Sequence, residues 1–199
     1  MPRVAPRLVP RLVAVAALAA AALALPAAPA LRAAERLPVI GSAPGAASDT
    51  VVHYRLEDQF GRVHTPATYA GAPMFIVGAD QGGRGPAREW ALALTAELKA
   101  AGAAPRIAVV PVADLRRVPR LLRRLVRGRF PKGAGEQVLL DWEGTVARAH
   151  AFTADECTVL LVGPTGRLLR RTTTTAVDSA LVREFARQAV ELAQERSQP

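Results

Sequence analysis

The chain has 199 residues, half of them hydrophobic and only 5% aromatic, with 26 Lys and Arg against 17 Asp and Glu for a net charge of +9. That length and balance suit one globular domain plus an extra segment, and they exclude a disordered or collagenous chain. The single cysteine, Cys157, excludes an internal disulfide, so the stability of the domain must come from its core.

Residues 1–30 read as a secretory signal peptide. "MPRVAPRLVPR" carries Arg3, Arg7 and Arg11 and no acid, "LVAVAALAAAALAL" is a short uncharged apolar run, and "PAAPA" puts Ala28 and Ala30 at the small-residue positions of a cleavage site. An uncleaved membrane anchor is the alternative. The run is short for a span of about 20 residues, and Pro26 and Pro29 interrupt its end. No twin arginine precedes it, so a general export route is expected. Cleavage would remove three arginines and no acid, leaving a net charge of +6 and no second long apolar run. Export argues against a nucleic-acid partner. It directs the positive charge toward acidic envelope polymers or anionic lipid headgroups.

Residues 31–50, "LRAAERLPVIGSAPGAASDT", are rich in Ala, Gly, Pro and Ser without periodicity and read as a flexible leader. The folded domain is expected over 51–196. "VVHYRLEDQFGRVHTPATYAG" alternates apolar and polar residues around the turn signal Gly61, as a strand pair does. "PMFIVGA" has the length and apolar continuity of a buried strand. In "AREWALALTAELKAAG", Trp90, Leu94 and Leu98 recur four apart, Pro86 suits the first turn, and Gly102 supplies a stop.

"RIAVVPVAD" predicts the next buried strand. "VPRLLRRLVRGRF" predicts a second amphipathic helix, with Val118, Leu121, Leu122, Leu125 and Val126 on one face and Arg120, Arg123, Arg124 and Arg127 on the other, ended by Gly128. "QVLLDWEGTVARAHAF" holds a strand before a turn at Glu143-Gly144, and "CTVLLVGPTGRLLRRTTTT" a hairpin turning at "GPTG". Asp178 caps a last helix reaching about Gln194, with Leu181, Phe185, Val190 and Leu192 mostly inward. Strands alternating with helices and a late hairpin predict an α/β domain: a central mixed β-sheet with helices on both faces.

In this order the sequence resembles the thioredoxin-like superfamily, in its exported redoxin branch. That branch holds the alkyl hydroperoxide reductase/thiol-specific antioxidant relatives and the periplasmic YtfJ-like proteins. Three stretches carry the likeness, over roughly Val51 to Ala193. "LEDQFGRVHTPATYAGAPMFIVGAD" is similar to the family's "D-x-x-G-x … G-K-x-x-x-V-x-F-W-A". "VLLDWEGTVARAHAF" is like its "D-x-x-G-x-x-A-x-x-Y-G-V", and "TVLLVGPTGRLLRR" like its "x-F-L-I-D-x-x-G-x-I".

The resemblance implies that the first central strand ends at an active-site loop. There a Cys-x-x-Cys pair or a peroxidatic cysteine sits at a helix N-terminus, whose dipole and free amides favour the thiolate. In this chain the loop is Asp80, Gln81, Gly82, Gly83, Arg84 and Gly85, and the two cysteine positions fall at about Gly82 and Gly85. Neither sulfur is there, nor is a Thr-x-x-Cys. A dithiol cycle needs two sulfurs, so standard thioredoxin chemistry is excluded. The loop reads as a vacated active site in a turn that tolerates glycine; the alternative is an anion-binding nest aided by Arg84.

The same resemblance sets Cys157 beside the position of the thioredoxin cis-proline, facing Gly82. It is the one candidate thiol, read either as a lone redox sulfur or as a core residue opening "CTVLLV". Its neighbours Asp155 and Glu156 would disfavour a thiolate. His53, His64 and His150 are scattered and read as strand or surface residues, and no metal or cofactor is implied. Trp142 reads as cover for a core edge, with stacking on a ligand as the alternative. Arg120, Arg123, Arg124 and Arg127 form the candidate surface for an anionic partner, against the alternative of a merely solvated face. The partner is an unknown envelope protein or an anionic surface. The function expected is that of an exported, redox-inactive thioredoxin-fold binding or accessory protein. The competing readings are a single-thiol redox protein and a peripheral binder of anionic surfaces.

Overall fold

The computed structural model describes residues 53–104, 106–133 and 136–195. The signal peptide and leader expected over 1–50 lie outside the described residues.

The hairpin at Gly61 forms as expected, from β1 (Leu56–Asp58) and β2 (Val63–His64), with Gly61 at φ +84°. A 3-10 turn, Pro66–Tyr69, leads to the first central strand, β3 (Met74–Ala79), every residue of which is buried. Helix α1 (Arg84–Ala100) follows, with Trp90, Leu94 and Leu98 buried on one face and Pro86 in its first turn. Gly102, at φ +65°, ends it in the left-handed conformation that only glycine adopts without strain.

Strand β4 (Ala108–Asp114) returns parallel to β3. Next come a 3-10 turn, Arg120–Leu122, a short helix α2 (Arg123–Arg127) and strand β5 (Leu139–Asp141), parallel to β4. A short helix α3 (Thr145–Ala149), which the sequence pattern did not suggest, precedes β6 (Cys157–Val162). Strand β7 (Leu168–Thr174) completes the hairpin, and α4 (Ser179–Glu195) closes the domain. Asp178 caps α4 as expected, its Oδ1 accepting from the amides of Ala180 and Leu181 at 2.8 and 3.2 Å.

The described residues form a seven-stranded mixed sheet in the order β2-β1-β5-β4-β3-β6-β7. The alternation of side chains along β3 and β6 builds two cores. Phe75, Val77, Cys157, Val159 and Leu161 face α1 and α4, meeting Trp90, Leu94, Leu98, Val182 and Phe185. Met74, Ile76, Leu160 and Val162 face the other way, against Tyr54, Val146 and Ala147 of α3, and Phe152. Helices therefore cover both faces. In α4 the buried residues are Val182, Phe185, Ala186 and Ala189, and the expected Leu181, Val190 and Leu192 pack at the margin.

The amphipathic helix expected from Val118 is corrected in length and in orientation. Pro119, at ψ 143°, holds the chain extended, and regular helix runs only over Arg123–Arg127. The leucines face outward: Leu121 is 95% exposed, Leu125 58% and Leu122 46%. Arg123 and Arg127 face inward, and each finds a carboxylate on the body of the domain. Arg123 Nη2 lies 2.8 Å from Glu143, and Arg127 Nη2 lies 2.7 Å from Glu57.

Candidate functional site

Strand β3 delivers Asp80 to the carboxyl end of the central strands, at the start of the glycine-rich loop. One oxygen of its carboxylate, Oδ1, accepts three backbone N–H bonds of 3.1 Å, from Gly82, Gly83 and Asp155. The amides that would cradle an external anion or a thiolate ahead of α1 are therefore turned onto an internal carboxylate. This speaks against the nest alternative: at Gly82 and Gly83 the nest is already filled.

The loop is also closed from above. The segment 150–156 runs across it, with Ala151 at φ +47° and Asp155 at φ +62°. Left-handed backbone at alanine is uncommon and needs surrounding contacts to hold it. Those contacts are present. The carbonyl of Ala151 accepts from Arg171 Nη2 at 2.9 Å, and that of Phe152 from Arg116 Nη2 at 3.3 Å. The Phe152 ring lies over Gly78 in β3, where any Cβ would overlap it. A Cβ at Gly82 would overlap the Asp155 carboxylate, and one at Gly83 the carbonyl oxygen of Glu156, whereas Gly85 has open space beside it. Two of the three glycines are thus required by a close approach rather than tolerated by a turn. Gln81 and Arg84 are exposed at the rim.

Cys157 pairs with Ala79 across the β3–β6 ladder, at the height of the loop, but its side chain is fully buried in the core under α1 and α4. The residues that face Gly82 and Gly83 are Asp155 and Glu156, so the expected thiol opposite Gly82 is corrected. Burial pushes the Cys157 thiol up to about 12. Burial, not the adjacent carboxylates, is the cause.

Two further acids stand at the ends of the neighbouring strands, Asp114 on β4 and Asp141 on β5, in register with each other. The Asp141 carboxylate accepts from the amides of Thr145, Val146 and Ala147 at 2.7–2.9 Å and so caps α3. Asp114 is paired with Arg116 Nε at 3.0 Å. Its carboxyl is raised by burial, against the pull of Arg116 and with a push from Asp141 and Asp80. Asp58 does for the β1–β2 turn what Asp141 does for α3, accepting from the amides of Phe60 and Arg62 at 2.9 Å and from His64 Nε2 at 3.1 Å. Both D-x-x-G stretches are turn devices, with their glycines, Gly61 and Gly144, at positive φ.

Of the other candidates, His64 belongs to the Asp58 network and continues through Nδ1 to the Tyr69 hydroxyl at 3.2 Å. His150 is buried near Arg171, and its Nε2 has no hydrogen-bond partner among the described residues. His53 is exposed. Trp142 carries the Arg123 guanidinium 5.4 Å above its ring. Among the described residues no three His, Cys, Asp or Glu side chains are grouped to hold a metal ion. The four candidate arginines do not act as one free face, since Arg123 and Arg127 are ion-paired and line a cleft of about 470 Å³ with Glu57, Trp142 and Glu143.

The roles of Asp155, Glu156 and Phe152 escape sequence reasoning, because a positive φ at Asp155 leaves no compositional mark. Asp80 was named only as a member of the loop; the signal that marks its role is an acid two and three residues ahead of free amides at a helix start, a capping pattern.

No protein-family model matches the chain, and no curated protein matches it. Solved structures do. A putative thiol:disulfide interchange protein DsbE from Chlorobium tepidum aligns at TM-score 0.50 and 19% identity, over 73% of this chain and 96% of its own. The exposed lipoprotein thioredoxin Etrx1 from Streptococcus pneumoniae aligns at 0.53 and 14%, over 69% and 99%. The chain has the thioredoxin-like fold. Copper-bound ScoI from Arabidopsis thaliana shares it at TM-score 0.52 and 9% identity, over 71% of this chain and 98% of its own. At these identities the likeness is one of fold alone. Within that fold, the loop after β3 holds a carboxylate and glycines, and the chain's one thiol lies in the core. Among the described residues no helix is long and apolar enough to cross a membrane.

Proposed function

We propose that this is an exported thioredoxin-fold protein of the cell envelope that carries out no thiol–disulfide chemistry and works as a binding or accessory protein. The observation that carries the reading is the Asp80 carboxylate, which takes the amides of Gly82, Gly83 and Asp155 at the loop where the resemblance leads one to expect a thiolate. A thiolate placed there would meet a fixed negative charge instead of free donors. The burial of Cys157 supports the same reading and weighs against a single-thiol redox protein. The basic, apolar and small-residue sections of residues 1–30 support export, and an exposed lipoprotein among the proteins of similar fold agrees with it.

The test is turnover. With dithiothreitol as reductant, the full chain is expected to accelerate neither insulin reduction nor peroxide consumption above the buffer rate. Turnover in either assay that disappears in Cys157→Ser would overturn the reading.

A further inference from the structure

The segment between β4 and β5 has an arrangement that ordinary folding does not explain. Leu121, Leu122 and Leu125 stand on consecutive turns at the 3-10/α2 junction and all point to solvent, with Leu121 almost wholly exposed. Isolated exposed leucines are common, but three together on one projecting turn mark a contact surface. Around them the stretch 115–133 carries eight cations and no acid. Arg116, Arg123 and Arg127 are bound to Asp114, Glu143 and Glu57. Arg117, Arg120, Arg124, Arg129 and Lys132 are exposed and form no ion pair among the described residues.

We propose that this knuckle docks on an anionic lipid surface, with the three leucines entering the headgroup layer and the free arginines pairing with phosphates around them. Shape and charge choose this occupant. An exposed apolar tip needs a deformable apolar phase, and the five exposed, unpaired cations of this stretch match a headgroup plane rather than an apolar protein groove. The ion pairs of Arg123 and Arg127 have a part in it. They lie on the arginine side of α2, against Glu143 and Glu57, while the leucines stand outward. The inference goes beyond the redox-silent reading and holds whether or not the loop performs chemistry.

The test uses the full chain with Leu121→Cys carrying an environment-sensitive fluorophore. Cys157 is buried, so native protein takes the label only at the new site. On vesicles of phosphatidylcholine and phosphatidylglycerol in equal parts the emission is expected to shift to the blue, to return on raising salt, and to stay unshifted on phosphatidylcholine alone. Arg120→Gln with Arg124→Gln should weaken the binding about tenfold or more. Leu122→Ser with Leu125→Ser should abolish the shift. All four positions are exposed, so the variants keep the fold. A label on Ala96→Cys in α1 should remain in water. Three results would overturn the proposal: an aqueous signal at 121 on both vesicle types, an equal shift at 96 and 121 from binding through another part of the chain, or a vesicle-independent shift that grows with protein concentration, as a second copy would give.

Discussion

Three glycines within four residues have three different surroundings, and the differences set the signs of three substitutions. Gly83→Ala pushes a Cβ into the backbone of Glu156 and should cost about 1–3 kcal/mol, while Gly82→Ala meets mainly the Asp155 side chain and should cost less. Gly85→Ala meets nothing and sits in the first turn of α1, so it should stabilise by about 0.5–1 kcal/mol. Thermal melts of the three variants check the order; equal effects would mean the close approach is not maintained. Asp80→Ala leaves three amides without their acceptor and should cost about 1–2 kcal/mol, with Asp80→Asn nearer the parent. Sulfate should then stabilise Asp80→Ala more than the parent, because the emptied nest has become able to bind an anion. No gain from sulfate would contradict the account of the loop.

At the scale of elements, the segment 150–156 that closes the loop carries its own titratable group. Burial and the nearby Arg171 hold His150 below its ordinary value. A histidine with a lowered folded pKa adds stability above its unfolded pKa of about 6.5 and loses it as pH falls below that. The protection factors of the amides in 150–156, taken against the intrinsic exchange rate at each pH, should therefore fall on acidification through this range, and the effect should vanish in His150→Gln. Protection factors that do not change with pH would contradict it. The β1–β2 turn behaves differently. Burial works to raise the Asp58 carboxyl, but hydrogen bonds from Arg62, His64 and Phe60 outweigh it and hold the carboxyl below its usual range. Its contribution is present above about pH 4 and lost below it. Asp58→Asn should cost about 2 kcal/mol by urea titration near neutral pH and flatten the acid limb of the stability curve. The α2 segment shows where periodicity misleads. Its Leu/Arg pattern is that of an amphipathic helix with leucines inward, but Glu57 and Glu143 lie on distant parts of the chain. Their ion pairs with Arg127 and Arg123 lie on the face that turns in, a pairing that periodicity along the segment does not show.

For the molecule as a whole, the architecture was legible wherever apolar runs were long. The β3 run, the Trp90–Leu94–Leu98 stripe and the Asp178 cap each identified their element, and the order of strands and helices identified a mixed sheet covered on both faces. Short elements were not legible. Helix α3 spans five residues, too few for a periodic signal, and it is held by the carboxylate of Asp141, just ahead of its start. The candidate site was half legible. The missing sulfurs are a matter of composition, but the closure of the loop depends on left-handed backbone at Ala151 and Asp155 and on Phe152 crossing Gly78, contacts between segments far apart in sequence.

Because the chain holds one cysteine, any thiol chemistry must pass through Cys157, and its reactivity is the decisive observable. The measurement is the alkylation rate of Cys157 in the native full chain between about pH 5 and pH 9, beside the same chain in denaturant, against a free-thiol pKa of about 8.5. The thiol is buried and pushed up to about 12. Negligible native labelling is expected across the range, and rapid labelling once the protein is unfolded. Fast native labelling with an apparent pKa well below the free-thiol value would contradict it, and would return a working sulfur to the fold.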